Sequence, residues 1–450
     1  MTASLAQPTA TPLTAPISAG SRGLRLGTLY GPAVFGVTAA GVALPATAVA
    51  LDVSPAAAVW VLTAHALALG IGTALAGRLS DTWGLRTTLL AGAILLLVGA
   101  GVCVAAPDLG TLVVGRLILA AGSGAITSSA LILAALTEPA HRPTVLARLG
   151  ATMAVFSAAA TLAGGVVTAA MSWRVTVALP ALSLFAIPAC LRMARSARAS
   201  GKRADVGGAA LLATSAAALL VLIQGPALGI SATAVGLVAA VLVGAAGILI
   251  VRIRRHPNGF VPHLLATNRA FGKAAAIGAG VYGGLFGVMY SVPQILVNTF
   301  GWAVLGVGVA LLPGAFAGAV VSRVAGSLAG TDGGMRLLAA VAGAFGVVLL
   351  GAGIGGGSPV VLIAAASFGF AALAVTQITL TAQMSSRIPA AARGGTLGLL
   401  NLAFFVGGAV GTAVAGAVSQ SVGTTYALAY IAVLPITAAA LASLRTPSSS

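Results

Sequence analysis

Four stretches of this chain run for 46, 49, 50 and 51 residues without a single Lys, Arg, Asp or Glu: Val206–Val251, Ala274–Ser322, Leu337–Ser386 and Gly394–Leu444. A crossing of a lipid bilayer takes about 20 apolar residues, so each stretch is twice too long for one helix. Each is broken near its middle by turn formers: Gly225-Pro226, Asn298 to Gly301, Gly355-Gly356-Gly357-Ser358-Pro359 and Gly423-Thr424-Thr425. The four therefore read as helical hairpins. Ahead of them lie six single-span runs: Leu26–Leu51, Val53–Gly77, Thr87–Pro107, Gly110–Leu136 (which contains Arg116), Leu149–Trp173 and Val175–Leu191. Fourteen spans result.

Composition closes the other routes. Charged residues make up 6% of the chain and hydrophobic residues 59%, with a mean hydropathy of +1.09. A soluble domain of this size needs roughly a quarter of its residues charged to cover its surface. Two cysteines, Cys103 and Cys190, exclude a disulfide framework, and the hydrophobicity excludes disorder. A closed β-barrel needs strict alternation, which the runs lack.

Basic residues concentrate in cytoplasmic loops of membrane proteins. With the N-terminus inside, 21 of the 23 Lys and Arg fall on the inner side. Arg174 faces outward and Arg116 lies within span 4. The net charge of +17 is thereby accounted for by membrane orientation, and no nucleic-acid partner is expected. Residues 1–25 read as a disordered cytoplasmic tail, 26–193 as an N-terminal six-helix bundle and 194–270 as a linker carrying two inserted spans. Residues 271–444 read as a C-terminal six-helix bundle and 445–450 as a second cytoplasmic tail. The expected fold is an all-α membrane protein with 14 transmembrane helices grouped 6+2+6, an arrangement of duplicated bundles common among carriers.

Glycines at small-xxx-small spacing, Gly280 to Gly284 and Gly407 to Gly411, suit close helix packing in lipid. Gly278-Ala279-Gly280-Val281-Tyr282-Gly283 matches a dinucleotide fingerprint formally, but no strand precedes it, so packing is the expected role. No ATP-binding signature, zinc-type His/Glu pair or carboxylate pair is visible. The chain is expected not to be an enzyme, with no catalytic residues, no cofactor and no metal.

Gly77-Arg78-Leu79-Ser80-Asp81-Thr82-Trp83-Gly84-Leu85-Arg86 resembles the loop signature of the major facilitator superfamily, between spans 2 and 3 where that family carries it. Val42-Ala43-Leu44-Pro45, Trp60-Val61-Leu62-Thr63-Ala64, Ser172-Trp173-Arg174, Leu311-Leu312-Pro313-Gly314 and Arg393-Gly394-Gly395-Thr396-Leu397-Gly398 extend the likeness to the fourteen-span drug/proton antiporter group. The resemblance implies a major facilitator fold and multidrug efflux by alternating access across a bacterial cell membrane, with both termini cytoplasmic. Without the resemblance the stretch reads as an ordinary inner loop with Asp81 capping span 3; the resemblance implies a gating role for Gly77, Arg78, Asp81, Gly84 and Arg86, with Arg78 and Arg86 as partners of Asp81.

The sequence departs from the group where coupling is concerned. Gly36 stands in place of the usual span 1 acid, and Ala160-Thr161 stands before Gly164-Gly165 in place of the span 5 Gly-Pro. All six acids, Asp52, Asp81, Asp108, Glu138, Asp205 and Asp332, fall in loops or at helix ends. Arg116 is the one charge deep in a span, read either as snorkelling or as functional. His65 reads either as a packing histidine or as a proton carrier beside Arg116, because its side chain titrates near physiological pH. Candidates for a substrate cavity are Ser123, Thr127, Ser128, Tyr282, Tyr290, Gln294, Gln377, Gln383, Asn401, Phe404 and Phe405. The expected partners are a lipophilic or amphipathic small molecule, protons and the lipid bilayer, for a monomeric exporter. A proton-independent facilitator, or a non-transporting sensor or assembly protein, is the alternative.

Overall fold

The computed structural model describes residues 18–138, 140–194, 205–228, 230–387 and 393–444. Among these residues, fourteen helices are long and apolar enough to cross a membrane. Spans 1 to 7 are Ala19–Ala50, Pro55–Ser80, Leu85–Ala105, Leu109–Ala135, Thr144–Ala170, Trp173–Ala194 and Val206–Gly225. Spans 8 to 14 are Ala232–Arg255, Arg269–Asn298, Val304–Ser327, Asp332–Ile354, Pro359–Arg387, Gly395–Val422 and Thr424–Ser443. Among the described residues there is no strand. Large apolar side chains face outward, such as Val243 at 72% and Phe316 at 69% exposed, a surface that suits contact with lipid.

Three expected hairpin turns fall where the turn formers lie. Gly423, at φ 85, starts span 14, and Gly356 and Gly357 take positive φ between spans 11 and 12. The Asn298 to Gly301 turn separates spans 9 and 10. The fourth is displaced, because the helix of span 7 continues through Gly225-Pro226 to Leu228. Its partner starts at Ser231, whose hydroxyl accepts from the Ala234 N–H at 3.2 Å. The serine cap sets the turn, and the Gly-Pro pair does not end the helix.

The turn between spans 2 and 3 lies at Gly84. The helix of span 2 extends through Asp81 to Trp83, and Gly84 at φ 83 is the N-cap of span 3. A single left-handed glycine makes the turn, a conformation that costs other residues energy. Asp81 thus lies within the helix of span 2, and its side chain lies outside the described residues.

Two spans are not regular helices. Span 1 passes through a 3-10 segment at Gly31–Gly36, and span 6 through another at Leu179–Ala186. Pro32 and Pro180, each near the start of its segment, lack the N–H that a continuous helix needs. Span 5, where the Gly-Pro is missing, is one uninterrupted helix from Arg142 to Ala170.

Span 7 packs against spans 2 and 13, and span 8 packs chiefly on span 7. Phe260 and Leu265, from the segment after span 8, are buried with Ala74, Ala209, Leu399 and Leu402. Asp205 clamps this assembly. It accepts from Arg252 Nη2 at 2.7 Å and Nε at 2.9 Å, and from the N–H groups of Gly208 and Phe260, each at 2.9 Å. Partial burial raises the Asp205 pKa, but the Arg252 guanidinium and the two N–H groups outweigh it and hold it at about 2.

A carboxyl with a depressed pKa stabilises the fold fully above its unfolded value, and the gain is lost as pH falls through the folded one. The Asp205 contribution is thus expected to hold above about pH 4 and to fade toward pH 2. Asp205→Asn is expected to cost about 1–2 kcal/mol at pH 7, an estimate reduced because the Arg252 side chain is 36% exposed. Thermal unfolding in detergent checks this; equal stability of variant and parent at pH 7 contradicts it.

Candidate functional site

Arg116 lies two turns into span 4 and is fully buried. A guanidinium at this depth needs partners, and the irregular spans supply them. Its Nη1 donates to the Val177 carbonyl at 2.8 Å, its Nε to the Val61 carbonyl at 3.0 Å, and its Nη2 to the Gly36 carbonyl. Val177 stands three residues before Pro180, so the 3-10 bond its oxygen would accept has no donor. Gly36 ends the 3-10 segment of span 1, where the hydrogen-bond register changes. One arginine thereby ties spans 1, 2 and 6 together by backbone oxygens. It is coordinated inside the bundle and does not snorkel.

His65, in span 2, is fully buried, and its ring fills the space over Gly36. A Cβ built on Gly36 would lie 1.9 Å from Nε2 of His65 and 2.6 Å from Cε1. The imidazole occupies the volume that a side chain at position 36 would take. The main chain of Arg116 runs beside the ring, yet neither ring nitrogen makes a well-formed hydrogen bond. Cys103 is the other titratable side chain near the guanidinium. No carboxylate among the described residues pairs with Arg116; the described ion pair is Asp205 with Arg252.

One turn along, Ala68 and Ala120 pack with Phe405 of span 13, which belongs to a second cluster. The Tyr282 hydroxyl donates to Gln377 Oε1 at 2.7 Å, and Gln377 Nε2 donates to Asn401 Oδ1 at 3.1 Å. The Tyr282 ring sits 5.1 Å from Phe404, 5.6 Å from Phe405 and 5.8 Å from Phe286. Spans 9, 12 and 13 thus meet in an amide–aromatic cluster. Tyr30 of span 1 is close enough to Tyr282 to interact electrostatically. Tyr30 and Phe286 were not among the sequence candidates, although Tyr30 is the one tyrosine of the first six spans and was a usable signal.

The remaining candidates are placed elsewhere. Thr127 donates to the Gly124 carbonyl at 2.9 Å and lies 3.4 Å from Thr73, a helix-packing arrangement between spans 2 and 4. Ser123 and Ser128 are buried on span 4, and the Ser123 hydroxyl has no partner. Tyr290 reaches Ser419 at 3.3 Å, and Gln294 accepts from Asn298 at 2.9 Å. These two lie roughly 12 and 18 Å along span 9 from Tyr282. Gln383 lines a separate recess at the end of span 12. Of the loop signature, Gly77 packs on Ser128, Arg78 extends to Gly395 at the start of span 13, and Arg86 is exposed.

Spans 2 and 13 touch along a seam. Val59 lies against Gly416, Gly70 against Phe405 and Ala74 against Gly398, joining spans 2 and 13 from end to end. Gly41 meets the Met289 carbonyl between spans 1 and 9, and Gly308 meets the Thr161 carbonyl between spans 10 and 5. Gly411 backs onto Gly283, the close approach expected of the Gly407 to Gly411 spacing.

These features define a helical carrier fold, and the sequence profile of the Major Facilitator Superfamily matches residues 26–412. The chain belongs to that family. Over 287 residues it is 32% identical to the MFS-type transporter EfpA of Mycobacterium tuberculosis, covering 61% of this chain and 53% of EfpA. It is 27% identical to the multidrug resistance protein Stp of the same organism over 80% of this chain and 68% of Stp. It is also 32% identical to the puromycin resistance protein pur8 of Streptomyces alboniger, over 39% of this chain and 35% of that protein. The chain thus spans about half the length of EfpA. A POT family peptide transporter has the same fold, with a TM-score of 0.64 at 15% identity over 95% of this chain and 97% of that one.

Proposed function

We propose that this chain is a secondary exporter of a lipophilic or amphipathic small molecule, held at the Tyr282–Gln377–Asn401 cluster and moved by alternating access. The observation that carries this reading is the cluster's place. It lies in the interior of spans 9, 12 and 13, abuts span 2 across the seam, and pairs aromatic faces with two amides. Such a surface suits an apolar molecule with a few hydrogen-bonding groups. A multidrug resistance protein and a puromycin resistance protein among the relatives support the substrate class. Membership in a transporter family argues for carriage rather than covalent chemistry.

In this reading the fourteen spans group as 6+2+6, with bundles 26–193 and 271–444 rocking about the seam. The polypeptide sits as a monomer in a bacterial plasma membrane with both termini cytoplasmic, and the loop around Asp81 latches one state. His65 carries the coupling proton. A proton on the ring would set a second positive charge beside Arg116 away from water, so protonation favours a state in which the two part. Ser123, Thr127, Tyr290 and Gln294 join the substrate path only as the bundles move.

Flux from proteoliposomes, with a panel of neutral and anionic lipophilic dyes, tests this. Tyr282→Phe removes one hydroxyl and leaves the Gln377 oxygen unpartnered, so transport of the preferred dye is expected to fall about tenfold. His65→Gln is expected to abolish the response to an imposed pH gradient. Should no dye move, the exporter reading fails. Flux in the parent that ignores collapse of the gradient favours the proton-independent facilitator, a reading that has in its favour the absence of any described carboxylate paired with Arg116.

A further inference from the structure

Between the end of span 8 at Arg255 and the start of span 9 at Arg269, the chain passes the place where span 2 ends and span 13 begins. Of the thirteen residues from His256 to Asn268, two are buried: Phe260 at 2% and Leu265 at 6% exposed. Both belong to one apolar cluster with Ala74 of span 2, Ala209 of span 7, and Leu399 and Leu402 of span 13. Their neighbour Leu264 is 76% exposed. The segment is fastened at both ends. At one, the Phe260 N–H donates to the Asp205 carboxylate, which Arg252 already grips, and a Cβ on Gly208 would lie 3.0 Å from the Phe260 Cβ. At the other, Asn268 Oδ1 accepts from the N–H groups of Ala270 and Phe271 and caps span 9. Between them, the His263 N–H donates to the Pro257 carbonyl at 3.0 Å and closes the turn.

Beneath this segment spans 2 and 13 are in direct contact. Ala74 meets Gly398, and a Cβ on Gly70 would lie 3.1 Å from the Leu402 Cδ1. An apolar cluster that draws on both sides of a seam does not survive its opening. When span 2 leaves span 13, Ala74 goes with one and Leu399 and Leu402 with the other, so Phe260 and Leu265 lose part of their cover. The exposed Arg254, Arg255 and Arg269 beside them place the segment at the watery edge of the bundle, where bared apolar surface is costly. We propose, on the reading above in which spans 2 and 13 part, that residues 256–268 form a strap that holds this end of the seam shut. Spans 7 and 8 anchor it, and Asp205 is a positioning residue that sets Phe260 over the seam. The strap makes the closed arrangement the resting one, because its cluster exists in that arrangement and not in the open one.

Spin labels on W83C and S386C, exposed positions at the ends of the helices of spans 2 and 12, report the opening as a distance in the full-length C103S/C190S protein. Phe260→Ala and Leu265→Ala are each expected to raise the ratio of long to short distances about tenfold, since each removes most of a buried side chain. Asp205→Ala, which frees the Phe260 N–H without touching the apolar cluster, is expected to shift the ratio in the same direction. Leu264→Ala, one residue from Leu265 but exposed, is expected to match the parent. Leu265 lies on the short helix His263–Ala266, apart from the Asp205 clamp, so its variant keeps the test decisive if Phe260→Ala does not fold. Parental distances in both Phe260→Ala and Leu265→Ala overturn the strap, as does an equal shift in Leu264→Ala. Dye flux from the same samples keeps that failure apart from failure of the exporter reading: a parent that carries dye while no variant shifts loses the strap alone.

Discussion

Gly36→Val is expected to abolish transport and to destabilise the purified protein, and His65→Ala is expected to restore the stability. The prediction rests on one volume claimed by two residues. Any side chain at position 36 begins 1.9 Å from the His65 ring, far inside contact distance, and the neighbouring Arg116 is fixed by three carbonyls. The ring has nowhere to go without disturbing spans 1, 2 and 6 together. Overpacking of this kind costs about 1–3 kcal/mol. Removing the imidazole opens the space, so the double variant should unfold nearer the parent temperature, with a coupling energy of about 0.5–3 kcal/mol in a double-mutant cycle. Additive losses in that cycle contradict the geometry.

The same pair separates packing from proton carriage. G36V/H65A fills the space with an inert group and is expected to lack any response to a pH gradient. G36D/H65A places a carboxylate beside Arg116 in nearly the same volume and is expected to regain that response. If both doubles respond alike, His65 serves packing alone.

Much of this architecture was legible before any coordinates. Charge-free runs counted the spans because the cost of burying charge in lipid is large and local. The turn at Gly225-Pro226 was misplaced because glycine and proline permit a turn without compelling one, while Ser231 supplied the capping oxygen. The turn between spans 2 and 3 rests on a single glycine, Gly84, whose φ its identity permits but does not require. The residue types of the site were readable too. Tyr282, Gln377, Asn401 and Phe404 stood out as polar or aromatic groups in apolar helices, but their adjacency depends on how spans 9, 12 and 13 rotate against one another. The exchange of volume between Gly36 and His65 was hidden for the same reason. Two residues 29 apart in sequence become complementary only once the spans pack.

The central claim is that the two halves part and rejoin along the seam of spans 2 and 13 with each molecule carried. A disulfide across it measures this directly. A Cβ on Gly398 would lie 3.6 Å from the Cα of Ala74, so the two positions are in contact across the seam. In a C103S/C190S background, A74C/G398C is expected to transport when reduced and to fall to the background rate when oxidised. Reduction should restore the flux, and unfolding temperatures should show that the cross-linked protein remains folded. Full transport by a completely cross-linked sample would contradict the account, because the halves could not then separate at that end of the seam.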